Sequence, residues 1–263
     1  MGQYQRKHQR KNRRVRFGWL YGIISGLLIL AAVVGGCIVF FRVDTIEVQG
    51  NSRYSQQEII DVSGVEQGDN MFLLNKFEII DKMLGELTYL DDVTIRRGLP
   101  STLKINVTEC TVAGVVRNEE NGEWWLVSSG GKLLERQEVA GDYMQVTGLT
   151  LAAPSEGTML AVKEEQQTQS QALLELLEAM ESRGLLGDAQ SIDVSTASTV
   201  TMEYAGRLTV KMKMSADFDY DMRVLATVME EYVESKWSPE DTGTLDMTLD
   251  DGLPHLIKNA AEN

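Results

Sequence analysis

The stretch that decides the organisation of this chain is FGWLYGIISGLLILAAVVGGCIVFF, which runs from Phe17 to Phe41 without a charged residue. As an α-helix it would be about 37 Å long at 1.5 Å per residue, enough to cross a hydrocarbon core of roughly 30 Å with some tilt. Trp19 and Tyr21 lie near its N-terminal end, where aromatic residues commonly occupy a membrane interface. The sequence therefore predicts one transmembrane helix over residues 17–41.

Charge is distributed unevenly on the two sides of this segment. Residues 1–18 contain no acidic residue and seven basic ones: Arg6, Lys7, Arg10, Lys11, Arg13, Arg14 and Arg16. Of the 25 Lys+Arg and 39 Asp+Glu in the whole chain, 18 bases and all the acids therefore follow the segment. The positive-inside rule predicts a cytoplasmic tail over residues 1–16 and an extracytoplasmic body from about Arg42 onward. Because an acidic body repels phosphate, we expect no nucleic-acid binding.

Two processing alternatives compete with an uncleaved anchor in the plasma membrane. A cleaved signal peptide has an apolar core of about 7–15 residues, followed by small residues and then polar ones. Residues 34–37 weakly resemble a lipoprotein cleavage box ending at Cys37. Both alternatives are disfavoured because the next four residues, Ile38 to Phe41, are apolar.

Residues 42–112 are predicted to form a membrane-proximal domain of order β-α-α-β-β. Residues 43–49 alternate apolar and polar side chains, and the Ser55–Glu58 spacing is that of a capping box at the start of a helix. A second helix is predicted after Asn75, with apolar residues at helical spacing: Phe77, Ile80, Leu84 and Leu87. Two alternating strands, around Val93 and Ile105, complete the domain.

Residues 113–250 are predicted to form an α+β domain with a largely antiparallel sheet. Its signals are a Ser-Ser-Gly-Gly hairpin at 128–131, a helix over residues 166–183 and three strands between 192 and 214. A further helix is predicted from its apolar residues Phe218, Met222, Leu225, Met229 and Tyr232. Residues 244–249 are predicted as the last strand and residues 251–263 as a C-terminal tail.

Histidine and cysteine are too few to build the common catalytic sites. Nucleophilic catalysis by a Ser–His or Cys–His pair needs a histidine near the nucleophile. The histidines are His8, in the predicted cytoplasmic tail, and His255, which we expect to be a solvated tail residue. Cys110 is the one cysteine outside the apolar segment, and the sequence contains neither G-x-S-x-G nor a phosphate-binding glycine loop. We therefore expect no catalytic residue, no metal site and no cofactor.

Carboxylates are numerous enough to keep a carboxylate enzyme open as the alternative function. Asp217, Asp219 and Asp221 have the spacing of the start of an EF-hand loop, but Met222 and Val228 replace its Gly and Glu. Asp91-Asp92 and Asp250-Asp251 could supply a glycosidase pair, although adjacent acids are usually solvated. A membrane-anchored cell-wall hydrolase or transferase would need a carboxylate of raised pKa in a deep cleft. A third alternative, a lipid- or protein-binding sensor, would need an apolar pocket.

The motifs beyond the apolar segment resemble those of the FtsQ/DivIB family of bacterial cell-division proteins. The resemblance rests on residues 46–51 (IEVQGN), residues 68–73 (GDNMFL) and residues 93–109 (VTIRRGLPSTLKINVTE), a strand–turn–strand unit ending in Glu109. Residues 125–135 and 146–149 resemble the start of the family's β domain. Tyr89 and Cys110 stand where the family more often has a Pro and a basic residue.

The resemblance implies that residues 42–112 form a POTRA domain and that the protein is not an enzyme. It implies a scaffold at the division septum that binds small coiled-coil membrane proteins of the FtsL and FtsB/DivIC types, and through them influences a septal peptidoglycan synthase. The family binds a partner along a strand near the end of its β domain, by adding the partner's strand to an open sheet edge. The corresponding residues here are Thr244, Leu245, Asp246, Met247, Thr248 and Leu249.

Overall fold

A computed structural model describes residues 18–249 and 252–259 of the chain. The chain divides into two compact units. The first comprises the described part of Met1–Glu47 together with Val65–Asn75 and Arg96–Lys104. The second comprises Val48–Gly64, Lys76–Ile95 and the described part of Ile105–Asn263. The predicted domain boundary at residues 112 and 113 stays a prediction, and the basic tail with His8 lies outside the described residues.

The apolar segment forms helix α1, Gly18–Phe40. At 1.5 Å per residue its 23 residues span about 34 Å, and the stretch Trp19–Gly36 is long and apolar enough to cross a membrane. None of the side chains in that stretch is buried within the protein. This outcome agrees with the predicted single membrane helix.

The predicted β-α-α-β-β order follows α1. The elements are β1 (Thr45–Gln49), α2 (Gln56–Ser63), α3 (Lys76–Glu86), β2 (Leu90–Gly98) and β3 (Thr102–Glu109), and the strands form a sheet of order β1-β3-β2. The capping box at the start of α2 is present, because Ser55 Oγ accepts the Glu58 N–H at 3.2 Å and the Glu58 carboxylate accepts the Ser55 N–H at 3.4 Å. The order β-α-α-β-β is confirmed.

The buried face of α3 differs from the predicted one. Ile79 and Met83 are buried, whereas Phe77 is 81% exposed. Leu87, which both stripes share, is buried just beyond the helix. The sequence carries two apolar stripes at helical spacing, and the packed one is offset from the predicted one. The prediction that Phe77 faces the core is therefore wrong.

Two residues of the recognised motifs have clear structural roles at the loop that follows β1. Gly50 has φ +87°, and a Cβ there would lie 2.0 Å from the Val107 carbonyl oxygen, so only glycine fits. The Glu109 carboxylate accepts the backbone N–H groups of Ser52 and Arg53 at 2.9 Å and of Tyr54 at 3.2 Å. Burial raises the pKa of Glu109, but these three donors outweigh that effect and leave the pKa below its ordinary value.

Within the described residues, the second domain contains nine strands and two principal helices. The strands are β4 (Val112–Asn118), β5 (Trp124–Ser128), β6 (Leu133–Gln137), β7 (Gln145–Leu149), β8 (Ala189–Asp193), β9 (Thr199–Tyr204), β10 (Leu208–Lys213), β11 (Gly243–Asp246) and β12 (His255–Lys258). The helices are α4 (Gln167–Ser182) and α5 (Phe218–Val228), and α5 continues through a π turn, Met229–Val233, into α6 (Glu234–Lys236). The predicted 128–131 hairpin joins β5 and β6.

All nine strands form one sheet of order β12-β11-β10-β9-β8-β7-β4-β5-β6. The neighbouring pairs β10–β11, β4–β7 and β7–β8 are parallel, and the other five pairs are antiparallel. The predicted α+β class with a mostly antiparallel sheet is therefore confirmed. Helices α4 and α5 contribute buried residues such as Leu176 and Met222 to the same core as the strands.

Strands β9 and β10 alternate cleanly between the core and the opposite face of the sheet. Val200, Met202 and Tyr204 are buried, as are the facing Leu208 and Val210, while the intervening residues are polar. The helix that begins with α5 was predicted to bury Tyr232 near its C-terminal end. In the structure Tyr232 is 43% exposed, and the next residue, Val233, is fully buried. The π turn inserts one residue per turn and so moves the buried position by one.

Candidate partner-binding edge

Strand β11, which contains three of the six residues expected at an open sheet edge, is paired on both sides. Its N–H groups alternate in direction: Gly243 donates to the Arg207 carbonyl and Met247 to the Lys211 carbonyl, both at 2.9 Å. Between them, Thr244 and Asp246 face β12, which pairs antiparallel with β11 in the register Thr244↔Ile257 and Asp246↔His255. The expectation that this strand is an open edge is therefore wrong.

The strand is also shorter than predicted, because Asp246 ends it. The Asp246 carboxylate accepts the Thr248 N–H at 2.8 Å and the Thr248 hydroxyl at 2.6 Å. A side chain that bonds the backbone two residues on favours a turn over a continuing strand. These bonds hold the pKa of Asp246 below its ordinary value despite partial burial. Met247, Thr248 and Leu249 consequently lie in the connection that leads to β12.

Among the described residues, the edge of the nine-stranded sheet at this end is β12, within the segment predicted as a C-terminal tail. Asn259 N–H donates to the Thr242 carbonyl at 2.8 Å. This bond identifies the residues of β12 whose backbone groups bond to β11. In an antiparallel pair the hydrogen-bonded residues alternate, so His255 and Ile257 bond inward. The N–H and C=O groups of Leu256 and Lys258 then point away from the sheet. His255 is thus a half-buried strand residue and not a solvated tail residue.

Exposed apolar side chains surround the connection between β11 and β12. A cavity of about 190 Å³ is lined by ten described residues: Lys213, Ala216, Asp217, Tyr220, Asp221, Met247, Leu249, Gly252, Leu253 and Pro254. Leu253 is 62% exposed there, and Ile257 on β12 is 56% exposed. Apolar side chains beside an unpaired backbone edge are typical of a surface that receives another chain.

Asp221 is the buried acid of this cavity. Its side chain lies in the first turn of α5 and is 7% exposed, and its Oδ2 has no hydrogen-bond partner among the residues that the structure describes. Burial raises the pKa of Asp221 to about 6, and the nearby Asp217 adds to the rise. Asp217 itself caps α5 by accepting the Tyr220 N–H at 3.1 Å. This cavity therefore holds one buried carboxylate, with the second acid engaged in a structural role.

The remaining candidate chemical residues are dispersed. Asp219 pairs with Arg183 and, at 3.0 Å, with Arg223, while Asp91 and Asp92 are exposed at the start of β2. Burial raises the pKa of the Cys110 thiol, which disfavours the reactive thiolate. Within residues 18–249 and 252–259, no group of three or more His, Cys, Asp and Glu is arranged to hold a metal ion. Asp250 and Asp251 lie outside the described residues.

Comparison with known proteins places these features in context. Residues 41–109 match the family model described as "POTRA domain, FtsQ-type". The chain is 27% identical over 232 residues to the cell division protein FtsQ of Geotalea daltonii, covering 80% of this chain and 78% of that protein. It is 24% identical to FtsQ of Syntrophotalea carbinolica over 81% of this chain and 76% of that one. It is 31% identical to DivIB of Clostridium acetobutylicum over 45% of this chain, where the match spans 47% of the relative.

The apolar helix, the β-α-α-β-β domain and the nine-stranded sheet define a single-span α+β membrane protein with an FtsQ-type POTRA domain. These similarities support the FtsQ/DivIB family of cell division proteins for this chain.

Proposed function

We propose that this protein is a non-enzymatic, membrane-anchored scaffold of the division complex that receives a partner strand along β12. The observation that carries the proposal is the outward backbone of Leu256 and Lys258, shortly after Leu253 and Pro254, which line the cavity. The partners would be FtsL-type and FtsB/DivIC-type proteins, and the scaffold would influence septal peptidoglycan synthesis through them. The similarity of the chain to cell division proteins named FtsQ and DivIB supports this role.

The backbone edge sets the direction and register of the added strand, and side chains set its identity. Leu256 is packed against the main core, which holds β12 in place, while Ile257 and Leu253 offer exposed apolar surface. Pro254 precedes β12 and has no N–H, so the outward donors begin at Leu256. An incoming strand would pair with residues 256–258 and place apolar side chains against the cavity.

In this proposal residues Thr244–Leu249 contribute side-chain contacts to the partner, and they do not form the backbone edge. Thr244 and Asp246 lie opposite Ile257 and His255, so all four side chains share one face of the sheet. Met247 and Leu249 line the cavity. A partner bound at β12 would meet Leu249, which is 42% exposed, before it met the residues of β11.

A paired substitution at Lys258 tests the edge. Lys258→Pro removes one outward N–H, which is worth about 0.5–1.5 kcal/mol net and corresponds to a roughly 2- to 10-fold weaker complex. Lys258→Gln keeps that N–H but loses the 2.5 Å ion pair with Asp241, so it is the matched control. The assay is capture of the extracytoplasmic segment of an FtsB/DivIC-type protein by the full chain in detergent. Equal capture by both folded variants would refute the edge.

The orientation and the cellular role have separate tests. A cytoplasmic basic tail predicts that protease added to spheroplasts digests the body beyond residue 42, and a protected body would refute the orientation. Depletion of the protein should give filamentous, undivided cells. Normal division after depletion would refute a required role in division.

Asp221 favours a second candidate function, a carboxylate-dependent cell-wall enzyme, because a buried acid with a raised pKa is typical of general acids. Glycoside hydrolysis needs a second carboxylate across the substrate, and Asp217 is already bonded to the start of α5. Asp221→Asn removes any acid–base chemistry and keeps the shape of the side chain. Cells carrying this variant at normal protein level should still divide, and a block in their division with undiminished partner capture would favour the enzyme.

A further inference from the structure

The loop between α2 and α3 carries exposed apolar side chains next to the end of the membrane helix. Phe72 is 52% exposed and Leu73 is 73% exposed, although both belong to the compact unit that contains α1. Leu99, in the turn between β2 and β3, is 62% exposed and belongs to the same unit. We call Phe41, Phe72, Leu73, Arg97 and Leu99 the membrane-proximal tip.

Hydrogen bonds and ring contacts fix this tip to the residue that follows α1. The Phe41 carbonyl accepts the Met71 N–H at 3.0 Å, and the Phe41 and Phe72 rings meet edge to face with centroids 5.1 Å apart. Arg97 Nε donates to the Met71 carbonyl at 2.6 Å, and its guanidinium lies 5.4 Å from the centre of the Phe72 ring. Phe72 therefore contacts Phe41, the residue that directly follows helix α1.

The turn that carries Leu99 is tied to the same connecting segment. The Ser101 carbonyl accepts the N–H groups of Asp44 at 2.8 Å and of Thr45 at 3.2 Å. Val43 N–H donates to the Asp69 carbonyl at 2.8 Å, which links the segment to the loop that bears Phe72. Both exposed apolar sites therefore adjoin the few residues that leave the membrane helix.

The length of α1 locates these residues with respect to a bilayer. A helix of 23 residues spans about 34 Å, against a hydrocarbon core of roughly 30 Å and a total thickness of about 40–45 Å with headgroups. The end of α1 and the adjacent Phe41 then fall in the headgroup layer. Aromatic rings are enriched at this depth, and arginine can keep its charge in water while its stem lies along apolar surface.

We propose that the membrane-proximal tip inserts into the headgroup interface of the leaflet from which α1 emerges, so that the first domain docks on the lipid bilayer. The inference rests on the membrane anchor of the proposed function. The charged residues of this unit after α1 balance: Arg42, Arg96, Arg97 and Lys104 against Asp44, Glu47, Glu66 and Asp69. Apolar contact therefore drives the docking, and a neutral phosphatidylcholine surface is sufficient.

The experiment places a polarity-sensitive NBD label at Leu73 in the full chain, with Cys37→Ala and Cys110→Ser to leave a single thiol from Leu73→Cys. Leu73 is suited to labelling because its side chain is 73% exposed. The matched control carries Val139→Cys, at a position 69% exposed in the second domain. Each chain is reconstituted into phosphatidylcholine vesicles, at about one chain per vesicle, with and without nitroxide-labelled lipid.

The proposal predicts that the label at position 73 emits at shorter wavelength than the label at 139 and is quenched by the nitroxide lipid, while the control is not. Adding Leu99→Ser should shift the emission of the label back toward that of the control. Equal emission and no quenching at 73 in an inserted chain would refute the docking alone. If carbonate extracts the chain from the vesicles, that result would refute both the membrane anchor and the docking. Quenching that appears only at high protein density would assign the surface to a second copy and overturn the lipid proposal.

Discussion

Asp221 is an acid that we expect to destabilise its own domain at neutral pH. Its side chain is 7% exposed, and burial raises its pKa from the ordinary 3.8 to about 6. Between these two values the folded state holds a proton that the unfolded state has released, so stability falls as the pH rises from about 4 to about 6. Above pH 6 both states are ionised, and the loss of stability is complete.

The size of this effect follows from the shift. One pKa unit is worth about 1.4 kcal/mol, so the rise in the Asp221 pKa from 3.8 to about 6 corresponds to about 3 kcal/mol as an upper bound. Asp221→Asn removes the charge at nearly constant volume, but it leaves a buried amide that needs partners of its own. We therefore expect a net gain of about 1–2 kcal/mol at pH 7, or roughly 2–8 °C in Tm for a domain of this size.

The assay is thermal and denaturant unfolding of the full chain in detergent at pH 4, 5, 6 and 7, for wild type and Asp221→Asn. The stability of Asp221→Asn relative to wild type should rise from pH 4 to pH 7, because only wild type carries the ionising group. At pH 4 the buried amide should leave Asp221→Asn less stable than wild type, and at pH 7 the net gain is complete. Asp219→Asn is the control, since that acid is exposed and paired with Arg183 and Arg223, and it should give no gain. A difference that is independent of pH, or a loss of stability at pH 7, would refute the reasoning.

Four further substitutions test the packing within each domain, each by the unfolding free energy of the full chain. Glu109→Gln weakens the charge-assisted bonds to the N–H groups of residues 52–54, and we expect a loss of about 1–2 kcal/mol; an unchanged midpoint would show that these bonds contribute nothing. Gly50→Ala should cost at least about 2 kcal/mol, because the new Cβ would overlap the Val107 carbonyl and the backbone has positive φ; a neutral effect would mean that the loop adapts freely. Val233→Ser should cost about 1–3 kcal/mol and Tyr232→Ser less than about 0.5 kcal/mol, and the reverse order would contradict the register of the π turn.

The architecture was predictable wherever a local signal agreed with the fold. The Ser55–Glu58 capping box and the alternation of β9 and β10 are read directly from neighbouring residues, and both occur in the structure. The face of α3 was not predictable in this way. Phe77 begins one apolar stripe and Ile79 another, and only contacts with the rest of the domain decide which is buried.

The candidate site was less predictable than the fold, because its edge depends on pairing between short segments. β12 has four residues and follows a proline, so its own sequence carries almost no strand signal, and its stability comes from pairing with β11. The end of β11 had a readable signal in Asp246, which bonds the backbone of Thr248. The buried state of Asp221 had no local signal, because acids in the first turn of a helix are usually solvated.

The strength of the proposed edge can be bounded from its backbone alone. Leu256 and Lys258 provide two outward N–H donors, and with their carbonyls they form at most about four ladder bonds of 0.5–1.5 kcal/mol net each. A micromolar complex requires about 8 kcal/mol after the cost of association, so these bonds cannot supply it alone. Most of the affinity must come from side chains that fill the 190 Å³ cavity and cover Leu253 and Ile257. A short edge of this kind also limits pairing with unrelated strands. Lys258→Pro should accordingly weaken partner capture without abolishing it, whereas Leu253→Asp in the cavity wall should weaken it more.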